Sequence, residues 1–234
     1  TNGTTSSTDT TASLAGASYI YKRTGNSWTQ EAYLKASNAE TNDNFGVSVA
    51  LSGDTAIVGA YNEDSNQTTI TNGTTSSSDN TIGSAGASYV YKRLNNIWTQ
   101  EAYVKASNSH TSDIFGYSVA LSGDTAIVGA PYEDSNQTTI TNGMTSNNDT
   151  SSVNSGASFI YRRTGNLWAQ EAYLKASNSK TNDNFGWSVA VSGNTAIVGD
   201  QAEDSNQTTI TNGPTSSADI SGFDPGASFI YKRT

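Results

Sequence analysis

Residues 17–23 alternate, with Ala17, Tyr19 and Tyr21 on one side and Ser18, Ile20 and Lys22 on the other. A period of two predicts a half-buried β-strand. A second strand is predicted from Trp28 to Ala36, and Gly25-Asn26 between the two reads as a tight hairpin turn. Asn95-Asn96 occupies the same place one copy later, another pair that tolerates positive φ. Arg23 then faces Trp28, where exposed cation-π stacking is worth about 0.5–1 kcal/mol. Phe45 to Ala60, FGVSVALSGDTAIVGA, predicts a second hairpin, with Val47, Val49 and Leu51 on one side and Ser48, Ala50 and Ser52 on the other. Gly53 in the first turn position suits a type II′ turn. The small residues Gly46, Ala50, Gly59 and Ala60 predict that neighbouring sheets approach closely.

The whole pattern returns every 70 residues: GASYIYKR begins at Gly16, GASYVYKR at Gly86, GASFIYRR at Gly156 and GASFIYKR at Gly226. A long fixed period marks a propeller, solenoid or array whose units bury their apolar faces against one another. Two hairpins per period supply four strands, the content of one propeller blade. The expected fold is all-β: β-propeller-like four-stranded blades in three tandem repeats plus one extra strand, an open array completed by neighbouring subunits. Residues 1–36 read as an N-terminal polar hairpin and half blade, 37–106 as the first blade, 107–176 as the second, and 177–234 as a third lacking its last strand. Between Glu63 and Ala85 lies a long polar insertion, repeated in the other units. Asn72-Gly73, flanked by Thr68 to Ile70 and Thr74 to Ser76, predicts a small protruding hairpin followed by mobile residues.

Composition narrows the function. Apolar residues are 34 % of the chain and cysteine is absent, which removes disulfides, thiolate metal sites and cysteine nucleophiles. A formal charge of −9 argues against nucleic-acid partners, whose affinity rests on neutralised phosphates. No apolar run is long enough to predict a membrane span. All basic residues but Lys180 fall in the repeated strands, as Lys22, Arg23, Lys35, Lys92, Arg93, Lys105, Arg162, Arg163, Lys175, Lys232 and Arg233. They predict a solvated strand face paired with Glu31, Glu101 and Glu171. His110 is the only histidine and stands in a variable loop, where a solvent-exposed place is expected. With no nucleophile, base or carboxylate pair converging on one site, catalysis is not expected.

Phe45-Gly46, Phe115-Gly116 and Phe185-Gly186, followed by Gly59-Ala60-Tyr61, Gly129-Ala130-Pro131 and Gly199-Asp200-Gln201, resemble the FG-GAP repeat family. Its best-known members form the N-terminal propeller of integrin α subunits, and the match is most similar to the bacterial extracellular branch. The resemblance implies an extracellular or cell-surface location and a propeller-type blade. It also implies calcium, held in the family by an aspartate-rich loop between FG and GAP. Here that loop is the bare turn SGDT, or SGNT in the third unit, so the calcium site does not carry over. A different oxygen-rich set accompanies each unit: Asp43, Glu63 and Asp64; Asp113, Glu133 and Asp134; Asp183, Glu203 and Asp204. These could supply some of the six to eight oxygens calcium takes, or Asp64, Ser65 and Asn66 could make turn bonds instead. No other cofactor is expected.

Sequons occur at Asn2, Asn66, Asn72, Asn136, Asn148 and Asn206, of which Asn66, Asn136 and Asn206 are equivalent. Covalent glycans are therefore expected partners, with the Ser/Thr-rich insertions as further sites. Three blades are fewer than the four to eight that close a propeller ring. The strand from Gly226 to Arg233 gives a blade begun at Phe185 only three strands, and an open edge invites another chain. The expectation is a homo-oligomer built head-to-tail into a surface filament or matrix by strand-edge or blade stacking. The alternative is an adhesin-type module that binds a surface glycan or protein through its aligned insertions.

Overall fold

The computed structural model describes residues 1–234. It contains fifteen strands and no helix. Strands β1 (Ser18–Thr24) and β2 (Ser27–Leu34) form a hairpin with Arg23 opposite Trp28, as the alternation requires. Then come β3 (Val49–Ser52), β4 (Thr55–Ala60), the short β5 (Thr71–Asn72), β6 (Ala87–Leu94) and β7 (Ile97–Val104). They make one antiparallel sheet in the order β3-β4-β6-β7-β5. β8 (Ser118–Ser122), β9 (Thr125–Ala130), β10 (Thr141–Asn142), β11 (Ala157–Thr164) and β12 (Leu167–Leu174) repeat that sheet. The last sheet, β13 (Phe185–Ser192), β14 (Thr195–Asp200) and β15 (Ala227–Lys232), has three strands. The array thus consists of a half blade, two complete blades and a three-stranded blade.

Turn chemistry agrees with the sequence. Gly53 has φ 58° while Asp54 is not left-handed, the type II′ pattern, and Asn95 and Asn96 are both left-handed at 51° and 62°, the type I′ pattern. The expected cation-π pair forms in the later copies, with Arg93 5.6 Å from the Trp98 ring centre and Arg163 5.4 Å from that of Trp168. In the first hairpin Arg23 instead donates from Nε to the Gly25 carbonyl, and Trp28 lies open to solvent.

The insertion departs from expectation, because it forms no hairpin of its own. Thr71 and Asn72 pair with Tyr103 and Ala102 of β7, adding an outer strand to the blade. Gly73 N donates to Glu101 O at 2.6 Å, and the Gln100 side-chain amide donates to Thr75 O at 3.0 Å. The return segment is fastened too: Ser76 and Ser37 share a hydroxyl bond of 2.6 Å, and Ser77 O accepts from Asn38 Nδ2 at 2.7 Å. An open strand edge and a glutamine beside it outcompete local pairing around Asn72-Gly73. The insertion is therefore a strap laid along the blade rim.

Blades pack face to face over the apolar residues of both sheets. Phe115 sits edge-on to Phe159 and Tyr161, at 5.4 and 6.1 Å, and Phe45 and Phe185 repeat the arrangement. Backbones of neighbouring blades also meet closely at Gly59 and Gly129, where a methyl group would clash with the Gly116 or Gly186 carbonyl oxygen of the next blade. Those carbonyls accept from Ser48 Oγ and Ser118 Oγ, both at 2.7 Å. Gly129→Ala is expected to cost about 1–3 kcal/mol, because backbone on both sides must part. Gly199→Ala, which meets only the Ser188 side chain, should cost less. Paired thermal melts test this, and equal losses at the two positions would refute the close-approach account.

Candidate functional site

At each complete blade a glutamate follows the GAP strand and is buried with a lysine. Glu63 Oε2 accepts from Lys105 Nζ at 3.0 Å, while Oε1 accepts from Tyr103 OH at 2.7 Å and from Asn38 Nδ2 at 3.0 Å. Asn38 lies in the connection from β2 to β3, so the carboxylate fastens the segment that enters the blade from the preceding half blade. Glu133 repeats this with Lys175 at 3.0 Å, Tyr173 at 2.9 Å and Asn108 at 2.7 Å. Burial lowers the pKa of both lysines, opposed by the adjacent glutamate. The expected solvated lysine face is thus corrected: Lys105 and Lys175 are interior groups. The arginines supply the expected pairing, with Arg93 on Glu31 at 2.9 Å, Arg163 on Glu101 at 3.0 Å and Arg233 on Glu171 at 3.4 Å. Trp98 Nε1 and Trp168 Nε1 also donate to Glu31 and Glu101, at 3.0 and 2.9 Å.

In the third unit the glutamate is half-served. Glu203 accepts from Asn178 Nδ2 at 2.6 Å and from Ser205 N and Oγ, yet no lysine or tyrosine reaches it. At the opposite end Lys35 has no carboxylate and donates to Gly16 O at 2.5 Å.

The remaining acidic candidates serve the backbone. Asp43, Asp113 and Asp183 are buried, and each Oδ2 accepts from a loop N–H three residues earlier, of Glu40, His110 or Lys180, at 2.7 Å. Burial, reinforced by neighbouring carboxylates, pushes their pKa values up to about 7, 8 and 6. Asp64 and Asp134 Oδ1 accept from Ser84 N and Asn154 N at 2.7 Å, and Asp204 from Asp224 N at 3.4 Å, each bond reaching backbone 20 residues further along the chain rather than closing a local turn. His110 is half-buried rather than free in solvent. Calcium does not fit this donor set. No three His, Asp or Glu side chains gather as a metal site, and the turn acids Asp54 and Asp124 are held by Arg93 and Arg163.

Asp200 was not singled out from sequence as a site. It stands where the other units have Ala60 and Ala130, is buried, and neither carboxylate oxygen has a partner. Burial above all, then Asp183 and Glu203, raises its pKa to about 9 against the opposing pull of Lys175. The departure from Gly-Ala at Gly199-Asp200 was the available signal.

The sequons divide by structure. Asn66, Asn136, Asn206 and Asn148 are exposed on the straps. Asn2 and Asn72 are also exposed, but their amides bracket tryptophan backbone in the following blade. Asn72 Oδ1 accepts from Trp168 N at 2.8 Å and its Nδ2 donates to Trp168 O at 3.2 Å, while Asn2 holds Trp98 in the same way at 2.8 and 3.3 Å.

Antiparallel sheets of four blade strands and a short outer strand, stacked face to face and joined by a parallel bridge from each FG phenylalanine to the glycine of the preceding GAS segment, define a propeller-type repeat protein. The family described as FG-GAP repeat matches residues 28–91, 98–161 and 168–213, and the chain belongs to that family. Comparison with curated proteins found no match. The β-sheet blades agree with the fold expected from the repeat. No helix is long and apolar enough to cross a membrane.

Proposed function

We propose that the protein is a structural module of the cell exterior that assembles end to end into a filament or matrix and displays its straps as a glycan-bearing coat. FG-GAP repeats are modules of extracellular and surface proteins of the adhesion type, which supports the exterior setting. One observation carries the assembly reading: successive junctions in the row repeat the same contacts, Asn2 on Trp98 and Asn72 on Trp168, Arg93 on Glu31 and Arg163 on Glu101, so a blade face is complementary to a copy of its neighbour. A repeating contact that does not close produces fibres. No catalytic step belongs to this reading. The coat rests on Asn66, Asn136 and Asn206, which are exposed at equivalent strap positions.

Light scattering over a concentration series, with negative-stain microscopy, tests the assembly. Growing mass and fibres of uniform width are expected. A mass of one chain at every concentration would sink the proposal. Intact-mass measurement of native material, before and after glycan removal, checks the coat.

A further inference from the structure

Where β7 ends, four buried side chains and one amide meet in an order that suits covalent chemistry. Lys105, Glu63, Tyr89 and Tyr103 are each no more than 1 % exposed. Glu63 Oε2 accepts from Lys105 Nζ and Oε1 accepts from Asn38 Nδ2, both at 3.0 Å. One carboxylate thus holds an amine and a carboxamide on its two oxygens, and such placement turns a bimolecular encounter into an intramolecular one. The remaining bonds of Asn38 matter as much. Its Oδ1 accepts from Tyr89 OH at 2.5 Å, and its Nδ2 donates also to Ser77 O at 2.7 Å. The carbonyl therefore already carries a donor on the oxygen where negative charge would gather under attack. The nitrogen has two acceptors for the hydrogens it would hold on leaving.

We propose that Lys105 and Asn38 join spontaneously in a side-chain amide bond, with Glu63 as the proton carrier and Tyr89 as the oxyanion donor. Glu63 takes a proton from the lysine ammonium, and the free amine attacks Asn38 Cγ. The flexible lysine stem carries Nζ from Oε2 to that carbon. The Nζ–Cγ bond forms, and Tyr89 OH holds the charge on Oδ1. Glu63 then gives its proton to Nδ2 and takes a second one from Nζ. The Cγ–Nδ2 bond breaks, and ammonia departs with that second proton as ammonium. Nothing is oxidised or reduced, and no co-reactant is consumed. Burial favours the neutral amine of Lys105 against the opposing charge of Glu63. Burial, helped by that same charge, keeps the Tyr89 hydroxyl protonated as a donor. The product closes a covalent loop from residue 38 to residue 105 in a chain with no cysteine for a disulfide. It forms within one chain, whether or not chains assemble.

The next blade supplies the comparison. Glu133 again holds Lys175 Nζ and Asn108 Nδ2, at 3.0 and 2.7 Å. Phe159 pairs with Tyr173 there as Tyr89 pairs with Tyr103, so the phenol is missing, and Asn108 Oδ1 is buried without a partner. That carbonyl is not activated, and Lys175 stays an ion-paired amine.

Mass spectrometry of the folded chain after glycan removal reads the bond. The parent should weigh one ammonia less than its sequence, and trypsin should leave residues 36–92 joined to 94–162, because Lys105 is no longer a cleavage site. Asn38→Ala should restore cleavage at Lys105. Tyr89→Phe, which copies Phe159, should fold and lose ammonia at least about a hundredfold more slowly in freshly synthesised chain, as for loss of an oxyanion donor. Phe159→Tyr gives Asn108 Oδ1 the donor it lacks and should add a second bond, Asn108 to Lys175, with a second ammonia lost. A folded parent at its full sequence mass and cut at Lys105 would overturn the bond. Tyr89→Phe reacting at the parent rate, or folded Phe159→Tyr without a second loss, would overturn the role given to the phenol.

Discussion

Lys175→Ala is expected to lower the unfolding free energy by about 3–5 kcal/mol, the cost of breaking a buried ion pair by removing one partner. Lys175 is 1 % exposed and its ammonium is bonded to Glu133 Oε2 at 3.0 Å and Ser155 Oγ at 2.8 Å. Glu133 would remain inside with only Tyr173, Asn108 and Ser135 to hold its charge. Urea titration reads the loss. Lys35→Ala, at the equivalent place but without a carboxylate, should cost far less. The double change Lys175→Met with Glu133→Leu should recover much of the deficit, since paired apolar replacement removes both desolvation penalties. A double variant as unstable as the single one would show that the pair is not the source of the loss.

Asp200→Ala should do the reverse and stabilise the protein at pH 8, by at least about 2 kcal/mol, because it removes a buried carboxyl with no partner. The substitution also restores the residue found at Ala60 and Ala130, each fully buried in the same register against Ala87 and Ala157. The effect depends on pH in a defined direction. With the folded pKa at about 9, above an unfolded value of about 3.9, the group's contribution is fully present below pH 4 and is lost as pH rises toward 9. The gap between variant and parent should therefore widen from pH 4.5 to pH 8. Urea midpoints at those two pH values measure it, and a constant gap would refute the titration of Asp200.

Much of the fold could be read from residue order. The alternation at Ala17 to Arg23, the turn residues Gly53 and Asn95-Asn96, and the spacing of FG from GAP each act over a few residues, so periodicity reports them directly. The strap departs from its local pattern because its outcome is decided at a distance, by Gln100 and the free edge of β7, and nothing around Asn72-Gly73 contains that information. Lys105 and Lys175 looked like solvated strand ends for the same reason, since their glutamates stand 42 residues earlier in the chain. Of the candidate acids, Asp64 and Asp134 hold backbone 20 residues further along the chain, and Glu63 and Glu133 are interior partners of lysine, so neither set is settled by its own neighbours in sequence. Asp200 was visible only as a mismatch to its own repeats.

The brackets from Asn2 to Trp98 and from Asn72 to Trp168, together with the arginine-glutamate pairs, recur with a constant 70-residue pitch. A pull along the row would load these junctions in series, like links of one chain under a common tension. Links of equal make share that tension equally, and failure falls to the sparsest one. The seams at Arg93 and Arg163 are of equal make, so neither is a chosen point of failure and a row of such blades would stretch evenly before any one junction parts.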